Sequence, residues 1–237
     1  MMRVARGAER SGDYAAAAGY FRRAHTLAPK SMPALLGLGR ALGKLNAHEL
    51  ASEAYKKALE IEPANAQALV GLGNALIGLN RPQLAIGHFE TALAMSENAR
   101  VYNGLGVAHD MLGEHATAQA FYGTGLKLEP GNLTLRNNLG LSLAIQGRFR
   151  QAIEILRQAA ADPRAGTRHR LNLALAYGLA GQFDEAAEIA RIDLDEEAVR
   201  RNLAYYRTLR ALKDTKATFE AVGVHGFVPE SGGMNVN

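Results

Sequence analysis

Apolar residues recur three or four apart along most of the chain, the spacing of amphipathic helices rather than of strands. Residues 133–166, LTLRNNLGLSLAIQGRFRQAIEILRQAAADPRAG, show the plan in one piece. Leu139, Gly140 and Leu143 mark the packing face of a first helix, and Gly147 stands where that helix must stop and reverse. Ala152, Leu156 and Ala159 mark the packing face of a second helix, and Pro163 closes the unit. Neither helix buries its stripe alone, so the unit needs neighbours of its own kind.

The rest of the chain supplies them. A small residue that follows a leucine in the first helix recurs as Gly39, Gly73, Gly106, Gly140 and Ala174, spaced 34, 33, 34 and 34. The turn recurs as Gly12, Asn46, Asn80, Gly113, Gly147 and Gly181, the two residue types that accept a left-handed helix end at low cost. The second helix repeats Ala17, Ala51, Ala85, Ala118, Ala152 and Ala186. A large residue follows it, as Phe21, Tyr55, Phe89, Tyr122 and Leu156. Pro29, Pro63, Pro130 and Pro163 close successive units, with Glu97 in that place in the unit one residue short. Glycine or alanine lets the two helices approach, the aromatic fills the space beyond, and proline ends the second helix.

This pattern resembles the tetratricopeptide repeat, a helix–turn–helix of about 34 residues. The resemblance implies an all-α fold, a right-handed superhelical α-solenoid closed by a C-terminal capping helix. Complete units are expected at about 32–65, 66–98, 99–132, 133–166 and 167–195. The first unit has a whole second helix, about Tyr14 to Leu27, but only residues 1–11 for its first, as if the chain began inside a longer natural sequence. The expected division is a solenoid of about six repeats plus cap over 1–213 and a flexible tail over 214–237. The cap is expected from about Glu196 to Lys213, with Asp195 as N-cap and Leu203-Ala204 repeating the packing signature. Gly223, Gly226, Pro229, Gly232 and Gly233 break helix in the tail.

Composition narrows the chemistry. The net charge is +4, yet no Lys/Arg run exceeds two residues, which argues against a nucleic-acid tail. The absence of cysteine excludes disulfides, thiol nucleophiles and thiolate metal sites within this chain. Gly37-Leu38-Gly39 and Gly71-Leu72-Gly73 lie inside helical patterns, and no phosphate-loop motif occurs. His109 and His115 straddle a turn and read as solvated surface histidines, while Asp193, Asp195 and Glu197 read as a helix start rather than a calcium site. The expectation is no catalytic residue, no cofactor and no metal.

What remains is the surface of the first helices, the concave side of such a stack. Asn74, Asn103, Asn137, Asn138, Asn172 and Asn202 fall there. Asn103 and Asn137 are 34 apart, as are Asn138 and Asn172, so they should form rows. An amide offers donor and acceptor to a peptide backbone. Arg40, Arg100, Arg136, Arg168 and Arg170 lie near the same helices and suit carboxylates. The candidate partner-binding set is Arg40, Asn74, Asn103, Asn137, Asn138, Arg168 and Asn172. The competing reading has the asparagines bonding within or between helices. A carboxylate clamp for chaperone tails is not matched, since Leu36 and Val70 stand where lysine is needed. Phe219, Val222, Val224, Phe227 and Val228 make the tail apolar enough to pack as a cap extension, or to occupy this groove or that of a second copy.

The C-terminal half is more particular. NNLGLSLAIQGRFRQAIEIL, RHRLNLALAYGLAGQFDEAAEIARIDLD and RNLAYYRTLRAL, within residues 137–212, resemble the TadD family of tight-adherence pilus assembly proteins. That resemblance implies a bacterial lipoprotein on the periplasmic side of the outer membrane. Such a protein assists assembly of the machinery for Flp-type pili, including its secretin ring. It implies a protein or peptide partner, the secretin or another pilus component, no nucleic acid, and membrane contact only through a lipid anchor. The chain departs from the family in showing no signal peptide and no cysteine to carry the lipid. The resemblance carries no catalytic residues. Two other readings stay open: a cytosolic co-chaperone or regulatory scaffold, and the accessory repeat region of an enzyme.

Overall fold

The computed structural model describes residues 1–212 and 215–222, which form fourteen α-helices and no strand. Contacts divide the chain into two compact units, Met1–Ala108 and His109–Asn237. The first unit holds α1 (Met2–Arg10), α2 (Tyr14–Leu27), α3 (Met32–Lys44), α4 (His48–Ile61), α5 (Ala66–Gly78), α6 (Pro82–Met95) and most of α7 (Ala99–Met111). The second holds the end of α7, then α8 (His115–Leu128), α9 (Leu133–Ile145), α10 (Phe149–Ala160), α11 (Thr167–Ala180), α12 (Phe183–Ala190), α13 (Glu196–Ala211) and α14 (Thr215–Val222). From α1 to α6 and from α8 to α14 each helix packs on the next in sequence, and first helices also touch first helices: α1 on α3, α3 on α5, α9 on α11, α11 on α13. Such nearest-neighbour packing is the stacking of tetratricopeptide helix pairs.

Local chemistry sets the helix ends. All six predicted turn residues are left-handed: Asn46 and Asn80 at φ 57° and 55°, and Gly12, Gly113, Gly147 and Gly181 at 78° to 84°. Asn65 Oδ1 accepts from the Ala68 amide at 3.0 Å, and its Nδ2 donates to Glu62 at 2.8 Å. Asn132 repeats the device with Leu135 and Glu129. Some asparagines of this chain therefore act as N-caps that silence two free backbone or side-chain groups at once. Nothing lies within 4 Å of a Cβ built on Gly147, so Gly147→Ala isolates the backbone term. It is expected to cost about 1–2 kcal/mol, the strain of an L residue in the left-handed region, seen as a lower urea midpoint with unchanged slope.

The spaces beside the first-helix glycines are filled by rings. A Cβ on Gly39 would fall 2.6 Å from the Tyr55 ring, and one on Gly71 would fall 2.3 Å from the same ring. Phe89 sits likewise between Gly73 and Gly104, at 2.7 and 2.4 Å. Each aromatic is thus clasped by its own first helix and by the next one. Burial pushes the Tyr55 hydroxyl up to about 12, so it stays neutral in this slot.

The chain ends differ from the repeat pattern. The first unit's first helix is present as α1, nine residues against thirteen in α3, with Ala5 buried. The cap α13 buries Val199, Tyr206 and Leu209, while Ala204 of the expected signature is exposed. Tyr206 takes the space that a Cβ on Gly178 would need. The expected N-cap holds: Asp195 Oδ1 accepts from the Ala198 amide at 2.8 Å. The segment expected to be flexible from 214 opens with α14, in which Thr218 and Phe219 are buried. Val224, Phe227 and Val228 lie outside the described residues.

Candidate functional site

The residues predicted to face a partner fall into two classes. Arg40 and Asn74, one repeat apart on α3 and α5 of the first unit, are exposed. Arg40 donates through Nε and Nη2 to the two carboxylate oxygens of Glu9, at 2.8 and 3.1 Å, and remains half exposed. Arg168 is half-buried at the start of α11.

The other asparagines are inside. Asn103 is buried in the first unit, and Asn137, Asn138 and Asn172 are 3%, 1% and 2% exposed in the second. Asn172 Nδ2 donates to Asn137 Oδ1 at 2.8 Å, and Asn137 Nδ2 donates to Asn138 Oδ1 at 3.2 Å. These three amides bond to one another across α9 and α11 and offer no surface to a partner. The register explains it. Asn138 and Asn172 stand 34 and 68 residues after Gly104, in the line of Gly37 and Gly71 that faces the preceding second helix. That alignment was available in the sequence as the signal of an inward position. Asn172→Ala is therefore expected to lower stability by about 1–3 kcal/mol, the loss of a buried donor, in a denaturant titration. Partner affinity measured on the folded fraction should not change.

The arginines near these helices are also engaged. Arg170 grips both oxygens of Asp193 at 2.6 Å each, and this holds the Asp193 carboxyl below its ordinary value. Arg136 donates to the Pro130 carbonyl at 2.6 Å. Asp193, one of the acids read as a helix start, thus ties α11 to the segment before α13, with Thr167 donating to it at 2.9 Å.

The second unit has a polar core that repeat spacing did not predict. Asp110, at the end of α7, is fully buried. Its Oδ1 accepts from His115 Nδ1 at 2.7 Å and from Ser142 Oγ at 2.7 Å, and its Oδ2 accepts from the Tyr122 hydroxyl at 2.9 Å. The histidine proton is assigned to Nδ1 because Oδ1 already accepts from serine. Burial pushes the Asp110 carboxyl up, against the opposing pull of His115, Ser142 and Tyr122. Burial, and then the neighbouring carboxylate, push the Tyr122 hydroxyl well up, so it remains a donor. His115 is thus not the solvated surface residue expected; it is 4% exposed, and its Nε2 has no hydrogen-bond partner among the described residues. A buried unpaired nitrogen of this kind costs about 1–3 kcal/mol. His109 turns away to Glu114, at 2.6 Å, and stacks on Phe121. Among the described residues no three His, Cys, Asp or Glu side chains converge as a metal site would need.

A cleft of about 550 Å³ opens over α9, floored by Leu139, Leu143 and Ile155. Arg148 closes its rim by donating to Gln119 Oε1 at 2.9 Å and Gln151 Oε1 at 2.6 Å. The residues lining this cleft, Gln119, Leu139, Leu143, Arg148, Arg150, Gln151, Glu154 and Ile155, include no hydroxyl or thiol nucleophile. What the first helices of either unit can do chemically is present exposed polar side chains to another chain.

Comparison with known proteins gives the same answer. The model of one family, described as tetratricopeptide repeat, matches residues 70–132 and 137–199, and a second, described as TPR repeat, matches residues 39–80. No curated protein matches. A tetratricopeptide repeat protein from Parabacteroides merdae ATCC 43184 superposes with a TM-score of 0.72 at 15% identity, over 87% of this chain and 82% of that one. PilW, a widely conserved type IV pilus biogenesis factor, gives a TM-score of 0.73 at 22% identity, over 83% of this chain and 94% of that one. PilF from Pseudomonas aeruginosa gives 0.64 at 19% identity, over 94% and 96%. At these identities the likeness is one of fold. With more than half its length matched by the repeat family's model, and with paired helices in the same register, the chain belongs to the tetratricopeptide repeat family.

Proposed function

We propose that this protein is a non-catalytic scaffold that holds a protein segment during assembly of a Tad (Flp-type) pilus secretion machine. Its place in this reading is the periplasmic side of the outer membrane. One observation carries the scaffold part: the recurring positions of the repeat are occupied by packing and turn residues, which leaves exposed first-helix side chains such as Arg40 and Asn74 to meet a partner. The pilus part is supported by the resemblance of residues 137–212 to TadD proteins. That PilW, a type IV pilus biogenesis factor, shares the fold is consistent with it.

The test is calorimetric titration of the purified chain with the periplasmic region of the Tad secretin and with the other Tad assembly proteins. The expected result is saturable binding to one of them, at least tenfold weaker for Arg40→Glu combined with Asn74→Asp. Both side chains are exposed, so circular dichroism should show the helix content retained. Fractionation of cells should recover the full-length gene product with the outer membrane. Absence of binding to every Tad component would overturn the pilus reading.

A further inference from the structure

α14 is an unusual neighbour for its own array. It is eight residues long and packs on α13 and, further back in the chain, on α9. Phe219 is 5% exposed, and its ring centroid lies 6.2 Å from that of His115, tilted by 45°. Thr218 is buried beside it, and Tyr205 of α13 donates its hydroxyl to the Ala221 carbonyl at 2.6 Å. The helix therefore lies across first-helix surface as a guest would, with Phe219 as an aromatic anchor and the Ala221 carbonyl as a main-chain tie.

Its fit is incomplete. His115 Nε2 stays buried without a partner, on the ring that Phe219 covers. His115 cannot turn to satisfy it, because Nδ1 is held by Asp110, itself held by Ser142 and Tyr122. In the tautomer that donates Nδ1–H to Asp110, the neutral ring presents Nε2 as an acceptor, and its Nε2 finds no hydrogen-bond partner among the described residues, α14 included. A ligand that kept the aromatic anchor and added a donor would hold this surface better than α14 does.

We propose that the surface made by α9, α13 and the edge of His115 is a helix-binding site, and that α14 is its internal placeholder. The partner it fits is an amphipathic helix with an aromatic residue in the place of Phe219 and a hydrogen-bond donor, hydroxyl, amide or ammonium, aimed at His115 Nε2. Binding in trans requires α14 to leave, so the chain regulates its own access. The proposal rests on the scaffold part of the reading above and is independent of the pilus part.

The experiment uses the full chain and a fluorescein-labelled synthetic peptide with the sequence of residues 212–224 as probe. Phe219→Ala frees the site in cis. The variant is expected to bind the peptide saturably and at least tenfold more tightly than the unmodified chain does, and a peptide with alanine in place of its own phenylalanine should lose that binding. Hydrogen exchange on the unmodified chain should show the α14 amides exchanging at least tenfold faster than those of central α13, since α14 opens without the array unfolding. No peptide binding by a Phe219→Ala chain of native helix content would overturn the proposal, as would equal binding by both chains. If the variant fails to fold, the exchange experiment decides: α14 amides as slow as those of α13 would make it an integral cap and end the idea. None of these outcomes involves a Tad protein, so failure here is distinct from failure of the pilus reading.

Discussion

Asp110→Ala is expected to destabilise the second unit by about 3–5 kcal/mol, the usual effect of removing one partner from a buried charged network. Three groups lose their acceptor together: His115 Nδ1, the Ser142 hydroxyl and the Tyr122 hydroxyl, all in residues under 5% exposed. Urea denaturation at neutral pH, followed by circular dichroism, reads the change as a shifted midpoint for the transition that carries this unit. Asp110→Asn should cost less, since an amide oxygen still accepts from Tyr122 or Ser142. If alanine and asparagine both change stability by less than about 1 kcal/mol, the network is not holding the end of α7, α8 and α9 together as its distances imply.

The direction with pH follows from the raised Asp110 carboxyl. A group whose folded value lies above its unfolded value contributes stability that is complete below the unfolded value and is lost as pH rises through the folded one. The charged form is retained above that range only because His115, Ser142 and Tyr122 all donate to it. The alanine variant should therefore lose this pH dependence along with the stability.

The second large effect belongs to Phe89→Ala, expected to cost about 3–5 kcal/mol in the first unit. Phe89 is fully buried and its ring occupies the space at both Gly73 and Gly104. Truncation leaves a cavity walled by two helix backbones, which cannot collapse without changing the approach of α5 and α7 to α6. Gly104→Ala alone should also destabilise, by about 1–3 kcal/mol, through overpacking against the ring. Together the two should cost less than their sum, because the new methyl enters the vacated space. A double-mutant cycle of denaturation midpoints measures that coupling, expected at about 0.5–3 kcal/mol. Strict additivity would mean that ring and glycine do not share the space described.

Much of this architecture is written in short-range terms, and those terms are legible. Gly12, Asn46, Asn80, Gly113, Gly147 and Gly181 could be assigned as reversals because a left-handed residue is a demand of the local backbone alone. The helix pairs follow from spacing for the same reason. Phe219 and Val222 marked this segment as apolar enough to pack, but that it reaches α9 was not legible, because nothing in TKATFEAV says which surface lies within range.

The amino-acid sequence by itself determined the all-α class, the 33–34-residue repeat, the turns and the pairing of small residues with rings. Only the tertiary structure decided which polar side chains face inward. Asn138 and Asn172 hold a line that is glycine elsewhere, Asp110 one that holds Ile77 in the unit before, and Ser142 one that is alanine elsewhere. Whether such a residue is buried depends on the size and hydrogen-bonding groups of side chains more than twenty positions away, as with Ser142 and Asp110 or Asn172 and Asn137. A helix period fixes the face a residue occupies. The neighbouring helix fixes whether that face meets water, a ring or another amide.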